Sequence, residues 1–400
     1  MGKLLNIEYA CTQGTYWMIY GVVGSFASVF LLARGYSNSE IGVILAVANV
    51  VAVVLQPLVA DFADRSKKAS LTGITQLMTI IMIVMMAGLC IMQRKTLALS
   101  LIFLMLIAWH TILQPLINSL SFKLTECGIH ISFGIARGVG SLAYSALVGV
   151  LGTMVERYGV MVMPITGEVI LVMLLISLTL TKAQYKKVKA ANTEKGVIAV
   201  DQKLEDSEEI NLIDFIKRNK MFFIVNIGVL GVYFSNQVLN NYMIQVVTDV
   251  GGDSEDMGRI LSLMAFLEIP VMFCFDGLRK KFSCQFMLKV SAVGFVIKIA
   301  MCYIATTVTM VYIAQLFQLI SFGLFLPTMV HFIDEIMSKG EAVKGQALFT
   351  MMITVTTMIS SLLGGIILDL SGAKMLTLIA TIVTAVGAVI IIASVDRIKK

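Results

Sequence analysis

The chain has 400 residues, of which 58% are hydrophobic and only 14% charged, with 5 Pro and a formal net charge of +6. A soluble protein of this size could not bury so much apolar side chain, and the apolar runs, about 20 residues each, are long enough to cross a hydrocarbon core of about 30 Å as helices. The composition therefore points to a polytopic α-helical membrane protein, with membrane orientation rather than nucleic-acid binding accounting for the positive loops.

Twelve spans are predicted, at roughly 8–32, 41–60, 70–92, 97–122, 133–155, 159–181, 220–247, 257–276, 284–306, 308–336, 345–368 and 373–394. Met1–Asn6 leads straight into the aromatic-rich first span with no small-residue cleavage site, so no cleavable signal peptide is expected. Span one carries Gln13, Trp17, Tyr20 and Gly24 on one stripe, and span four carries His110, Gln114 and Asn118 every four residues. Span five does the same with Arg137, Ser141 and Tyr144, where Gly138 and Gly140 allow close helix approach. Span six holds the acid Glu168 beside Thr166.

The one long hydrophilic segment, 182–220, begins basic and turns acidic, and ends with apolar and charged residues alternating over 210–220 as in a surface helix. It divides the chain into an N-terminal bundle of six helices (1–181), a cytoplasmic linker with an interfacial helix (182–219) and a C-terminal bundle of six (220–400). A regulatory docking segment is the alternative reading of the linker. Beyond it, span seven offers Tyr233, Gln237 and Asn240, span eight Glu268, span nine Lys298, span ten Gln315, Gln318 and Ser321, and span eleven Thr350, Thr354, Thr357 and Ser361.

A charge inside a span costs at least about 2.5–3.5 kcal/mol, so it ordinarily faces a partner or a wet cavity. Arg137, Glu168, Glu268 and Lys298 are such charges. Counting along the helices puts Lys298 about 9 Å above Glu268, close enough for a direct pair without requiring one. Arg137 lies near a span end and could instead snorkel, as could Lys289. His110 is equally readable as a hydrogen-bonded packing residue, Glu168 as a protonated side chain near the outer surface, and the Thr face of span eleven as ordinary helix contact. The 6 Cys lack any C-x-x-C spacing and read as small apolar helix residues, so neither a disulfide framework nor a metal site is supported, and no cofactor is expected.

Alternate loops sort by basic charge. Arg65/Lys67/Lys68, Arg279/Lys280/Lys281, Lys339/Lys344 and Arg397/Lys399/Lys400 fall on the side that also holds both termini, which predicts a cell (cytoplasmic) membrane protein with both termini cytoplasmic. The halves echo each other: Pro57-Leu-Val-Ala-Asp61-Phe62, ending in Lys67-Lys68, parallels Pro270-Val-Met-Phe-Cys274-Phe275, ending in Lys280-Lys281. Pro115 to Gly134 matches Pro327 to Gly345 within one residue. Such a six-plus-six parallel repeat is a transporter signature.

These features resemble the major facilitator superfamily over the whole chain. Asp61-Phe-Ala-Asp64-Arg65-Ser-Lys67-Lys68 resembles its loop signature G-x-x-x-D-R/K-x-G-R/K-K, with Ala60 at the leading glycine. Within the superfamily, Leu55-Gln56-Pro57-Leu58, Phe133-Gly134-Ile-Ala136-Arg137-Gly-Val-Gly140, Leu267-Glu268-Ile-Pro270 and Val296-Ile297-Lys298 resemble the lactose permease and phenylpropionate-permease-like group. The resemblance implies an all-α membrane fold, twelve transmembrane helices in two six-helix bundles, with spans one, four, seven and ten lining the cavity. Independently of it, those spans bear the amide and aromatic stripes, whereas spans three, six, nine and twelve are nearly plain aliphatic.

The resemblance also implies roles. Arg137 and Glu268 fall at sugar-binding positions and Tyr144 at a stacking aromatic, while Asn118 replaces the family's fourth-helix glutamate. With Gln114, His110, Trp17, Gln237, Asn240 and Gln318 these make the expected substrate-binding set. Asp64, with Arg65, is the expected conformational latch. The tenth-helix His and Glu that couple transport to protons correspond to Gln318 and Ser321, neither of which titrates, so a coupling proton falls to Glu268, with Lys298 beside it.

Aromatics, amides and one or two charges suit a polar organic solute with hydroxyls and a ring face. The expected function is a secondary active transporter of such a solute (sugar, nucleoside or aromatic acid) by alternating access, with protons as the coupling ion where it is ion-driven. The expected partners are that small-molecule substrate and the lipid bilayer, with no nucleic acid, and a monomer is the expected state. The alternatives are a drug or lipid exporter of the same fold, or a non-transporting membrane solute sensor. An enzyme is not expected, because H-E-x-x-H, G-x-S-x-G and P-loop patterns are absent from the sequence.

Overall fold

The computed structural model describes residues 2–65, 70–125, 131–194 and 212–398, and the described chain is helical with no strand. In a bilayer every backbone N–H and C=O must be paired within the segment, which leaves helices as the available solution for apolar runs of this kind. The helices are α1 (Gly2–Tyr20), α2 (Ala27–Ala33), α3 (Asn38–Arg65), α4 (Leu71–Ile91), α5 (Leu97–Thr125), α6 (Phe133–Tyr158) and α7 (Val162–Glu194). After them come α8 (Leu212–Arg218), α9 (Lys220–Asp249), α10 (Ser254–Arg279), α11 (Cys284–Ile304), α12 (Val308–Gln315), α13 (Leu324–Ile336) and α14 (Lys339–Ser394).

Among the described residues ten helices are long and apolar enough to cross a membrane, and the bent pair Leu4–Ser25 and Ala27–Ala33 makes an eleventh. The 56-residue α14 is too long for one crossing, since at about 1.5 Å per residue it would run far beyond a hydrocarbon core of about 30 Å. It breaks at Gly372, whose φ of 78° is a conformation that a residue with a Cβ adopts only with strain. Divided there, α14 supplies spans eleven and twelve, and the twelve predicted spans are all present as helix.

Helix starts follow the sequence. Ser70, Asp253, Ser283 and Thr307 each accept a hydrogen bond from a first-turn backbone N–H, capping α4, α10, α11 and α12. Pro57, Pro115, Pro270 and Pro327 all sit inside helices. They occupy matching spans of the two halves, two with eight and four with ten. Two spans depart from regular α geometry. A π turn, Gly21–Ser25, joins α1 to α2 across a 44° bend. In span ten, α12 passes through a 3-10 turn at Leu316–Gln318 and a π turn at Leu319–Gly323 before α13. Such insertions concentrate at functional sites.

The chain separates into two compact units, one of Met1–Tyr36 and Val47–Lys203, the other of Ser37–Ala46 and Leu204–Lys400. In the first, α1 packs on α6 and α7, and α4 on α5 and α7. In the second, α9 and α11 pack on α14, and α11 on α13. The first ten residues or so of span two thus group with the second unit. There Asp369 accepts from the backbone N–H of Asn38 at 3.0 Å, from Asn38 Nδ2 at 2.9 Å and from the Ser39 N–H at 2.7 Å, capping α3 with a carboxylate remote in sequence.

The second unit's core is rich in phenylalanine, including Phe222, Phe295, Phe325 and Phe332. Phe215 of α8 joins it at 0% exposure, so the short helix before span seven docks by a buried aromatic rather than lying only as a surface helix. The rest of the expected linker, 195–211, lies outside the described residues.

Candidate functional site

In the first unit an aromatic cluster is built on α1. Its 3.6-residue period brings Gln13, Trp17 and Tyr20 to one side, with Tyr16 adjoining. The Arg137 guanidinium of α6 lies over the Trp17 ring, 3.8 Å from its centroid, and Arg137 Nη1 donates to Ser141 Oγ at 2.9 Å. Arginine is suited to this place because its flat, weakly hydrated cation stacks on an aromatic face while its edges still donate. Gly140 makes the approach possible: a Cβ there would stand 2.6 Å from Trp17 Cδ1. Gly138 of the same turn meets nothing within 4 Å, so Gly140 is the glycine that admits the neighbouring helix.

Tyr20 continues the cluster, with ring centroids 5.8 Å from Trp17 and 5.9 Å from both Tyr144 and His110. Tyr144 shares a 2.7 Å hydrogen bond with Ser25, the last residue of the π turn. His110 is buried, stacked on Tyr16 at 4.3 Å, with Nε2 3.2 Å from the Tyr16 carbonyl. That geometry holds span four to span one. One turn deeper, Gln13 Nε2 donates to Asn118 Oδ1 at 3.0 Å and to Tyr9 Oη at 2.8 Å. Gln114 is half-buried on the same helix as His110 and Asn118.

The second unit has a different chemistry. Lys298 on α11 is 1% exposed, and its ammonium donates to Gln318 Oε1, while Gln318 Nε2 donates to Glu268 Oε1 at 2.8 Å. The assignment of the amide is dictated by its neighbours. An ammonium has only donors, so the carbonyl faces it, and the NH2 is left to face the carboxylate. Gln318 ends the 3-10 turn of span ten, so the irregular backbone supports the bridging residue. Nearby, Gln315 Nε2 donates to the Val311 carbonyl at 3.2 Å, while Gln315 Oε1 and Ser321 Oγ are buried polar atoms without a hydrogen-bond partner among the described residues.

A second polar seam joins span seven to span eleven. Gln237 Nε2 donates to Thr357 Oγ1 at 2.8 Å, Asn240 Nδ2 to Gln237 Oε1 at 3.2 Å, and Asn241 Nδ2 to Ser361 Oγ at 2.9 Å. Tyr242 Oη donates to the Ser361 carbonyl.

The sequence profile of the MFS_1 like family matches residues 9–379. The chain belongs to this family, within the major facilitator superfamily. Among solved structures it is similar to the nucleoside transporter NupG, with 14% identity and a TM-score of 0.81 over 98% of this chain and 99% of that one. It is also similar to a bacterial homolog of the human lysosomal transporter Spinster, with 12% identity and a TM-score of 0.69 over 99% of this chain and 97% of that one. At these identities the likeness is one of fold. No curated protein matches the sequence.

For this major facilitator chain, several sequence expectations acquire definite places. Trp17, Arg137 and Tyr144, with Tyr20, come together in one cluster, and His110 adjoins it from the buried side. Gln13 and Asn118 bond each other. Glu268, Lys298 and Gln318 come together in another cluster, through an amide rather than only by proximity. Gln237 and Asn240 are engaged with each other and span eleven. Lys289, expected to snorkel, is ion-paired with Asp396. Glu168 is half-buried, and its Oε2 has no hydrogen-bond partner among the described residues. Asp64 and Arg65 close α3, but their side chains lie outside the described residues. Tyr16 and Ser25 are additions that sequence reasoning does not supply. Tyr16 carries the i−1 signal of an aromatic pair with Trp17, whereas nothing local announces the π turn that presents Ser25.

Proposed function

We propose that this protein is a secondary active transporter of a small polar organic solute bearing a flat ring, with a nucleoside as the leading class. The observation that carries the reading is the Arg137 guanidinium stacked at 3.8 Å on Trp17, continued by Tyr20 and Tyr144. Aromatic faces receive a heterocycle, and the Arg137 edges and the half-buried Asn118 offer polar groups to hydroxyls. A cluster of Met and Phe would have favoured a drug or lipid exporter; arginine with hydroxyl-bearing aromatics favours a polar cargo. The fold shared with NupG, a nucleoside transporter, is consistent with that preference without deciding it.

The second unit supplies the coupling chemistry in this reading. Glu268 carries a proton, and the Gln318 bridge transmits its charge state to Lys298. With Glu268 ionised, the amide links opposite charges. With Glu268 protonated, the buried Lys298 loses its balancing anion, and the arrangement shifts. The cycle is alternating access in the cytoplasmic membrane, with both termini on the cytoplasmic side.

Thermal-shift measurement of the purified protein against nucleosides, sugars and aromatic acids tests the solute class. Stabilisation by nucleosides that disappears in Trp17→Ala is the expected result. Stabilisation by sugars alone, which lack a flat aromatic ring, or by apolar drugs alone, contradicts it.

A further inference from the structure

We propose that Glu8, Thr12, Ser177 and Thr181 form a binding site for a monovalent alkali cation, with Na+ as the ion to test, between α1 and α7 of the first unit. The proposal is independent of the solute reading above.

The site is built from oxygen. Thr12 Oγ1 and Ser177 Oγ share a 2.7 Å hydrogen bond and lie 3.0 and 3.1 Å from the Glu8 carbonyl, which accepts from the hydroxyl that is not donating to the other. Glu8 and Thr12 are four residues apart on α1, as are Ser177 and Thr181 on α7, so each pair shares a helix face. Spans one and six run in opposite directions, so one turn towards the start of α1 from the Glu8–Ser177 contact is the level of Thr181. Helical side chains lean towards their own N-terminus, which carries the Glu8 carboxylate to that level.

Two atoms there have no hydrogen-bond partner among the described residues although both are buried: Glu8 Oε2 and Thr181 Oγ1. Glu8 is 8% exposed and Thr181 0% exposed. Two buried oxygens brought to the same level of neighbouring helices, neither with a hydrogen-bond partner among the described residues, are costly unless a third body joins them. A cation satisfies both, because each oxygen has a lone pair to give.

The donor set selects the ion. Carboxylate, hydroxyl and carbonyl oxygens are hard ligands, and no nitrogen or sulfur is among them. Among the described residues no group of three His, Cys, Asp or Glu side chains could hold a metal ion, so a divalent or transition-metal centre is not what these residues build. One carboxylate balances one positive charge. A divalent ion would leave a charge unmatched, and the exposed Lys187, within electrostatic reach of Glu8, repels any cation there but a divalent one about twice as strongly.

The test is the thermal midpoint of the full-length protein titrated with NaCl against choline chloride at fixed ionic strength, at a pH on either side of neutrality. Na+ is expected to raise the midpoint saturably at both, and Glu8→Gln to lose that shift. Thr181→Val, which keeps shape and charge, is expected to raise the half-saturating Na+ about tenfold, the scale of one lost polar contact. Three results would overturn the proposal: equal midpoints in Na+ and choline, an undiminished Na+ shift in both variants, or stabilisation that follows pH alone and leaves Glu8 as a protonated acid. A Na+ shift that appears only in Lys187→Gln would do the same, since the ammonium would then be the native occupant.

Discussion

Gln318 donates to Glu268 at 2.8 Å while accepting from Lys298, so the two intramembrane charges of the second unit are joined through one amide. Each end of that amide serves a charged partner, and hydrogen bonds to charged groups contribute about 1.5–3 kcal/mol. Gln318→Leu removes both bonds inside a buried site. Its unfolding free energy in detergent is expected to fall by about 3 kcal/mol or more. Gln318→Glu can accept from Lys298 and, when protonated, donate to Glu268, so its thermal midpoint should lie between leucine and wild type. Equal midpoints for all three proteins would remove the bridge from the account.

Arg137 tests the other cluster. Arg137→Lys keeps the positive charge but loses the flat face that lies on Trp17. A cation–π contact contributes about 0.5–2 kcal/mol, so the half-saturating solute concentration for uptake is expected to rise about 2- to 30-fold. The maximal rate should change less than the half-saturation. An unchanged half-saturation with a collapsed maximal rate would assign Arg137 to the conformational cycle instead.

Asp369 caps α3 with three hydrogen bonds, and a carboxylate at a helix N-terminus gains from the helix dipole as well. Asp369→Ala is expected to lower stability by about 0.5–2 kcal/mol, with Asp369→Asn milder because its amide oxygen can still accept. Chemical or thermal unfolding in detergent measures both.

Spans seven and twelve cross at glycines: a Cβ on Gly231 would stand 2.7 Å from the Gly387 Cα, and one on Gly387 2.6 Å from the Gly228 carbonyl. Such backbone contact is how small residues drive helix association in lipid. Gly387→Val is expected to cost about 1–3 kcal/mol through overpacking and to reduce monodisperse protein on size-exclusion chromatography. The neighbouring Val386 is exposed on the outside of the helix and serves as the control. Val386→Ala should be neutral by the same measurement.

The spans and their approximate limits are readable because apolar length is a direct consequence of bilayer thickness, and Pro57, Pro115, Pro270 and Pro327 mark the repeat. The faces are readable too: Gln13, Trp17 and Tyr20, or Arg137, Ser141 and Tyr144, follow from helical period alone. What the period does not supply is which face meets which. Arg137 on Trp17 depends on Gly140 admitting a neighbouring helix, and Gln318 reads as a lost titrating group until the fold sets it between two charges. Ser177 and Thr181 are inconspicuous because span six is otherwise aliphatic, although their four-residue spacing is a legible signal. The π turns at Gly21–Ser25 and Leu319–Gly323 carry Gly and Ser, but such residues also occur in regular helix elsewhere in the chain, so they do not announce a π turn.

Uptake by protein reconstituted into liposomes, under an imposed pH gradient, tests the whole account most directly. Wild-type protein is predicted to accumulate a labelled nucleoside above its external concentration. Glu268→Gln is predicted to lose that uphill accumulation while still exchanging internal for external solute. Unchanged uphill accumulation in Glu268→Gln, or no nucleoside movement by the wild-type protein, would contradict it.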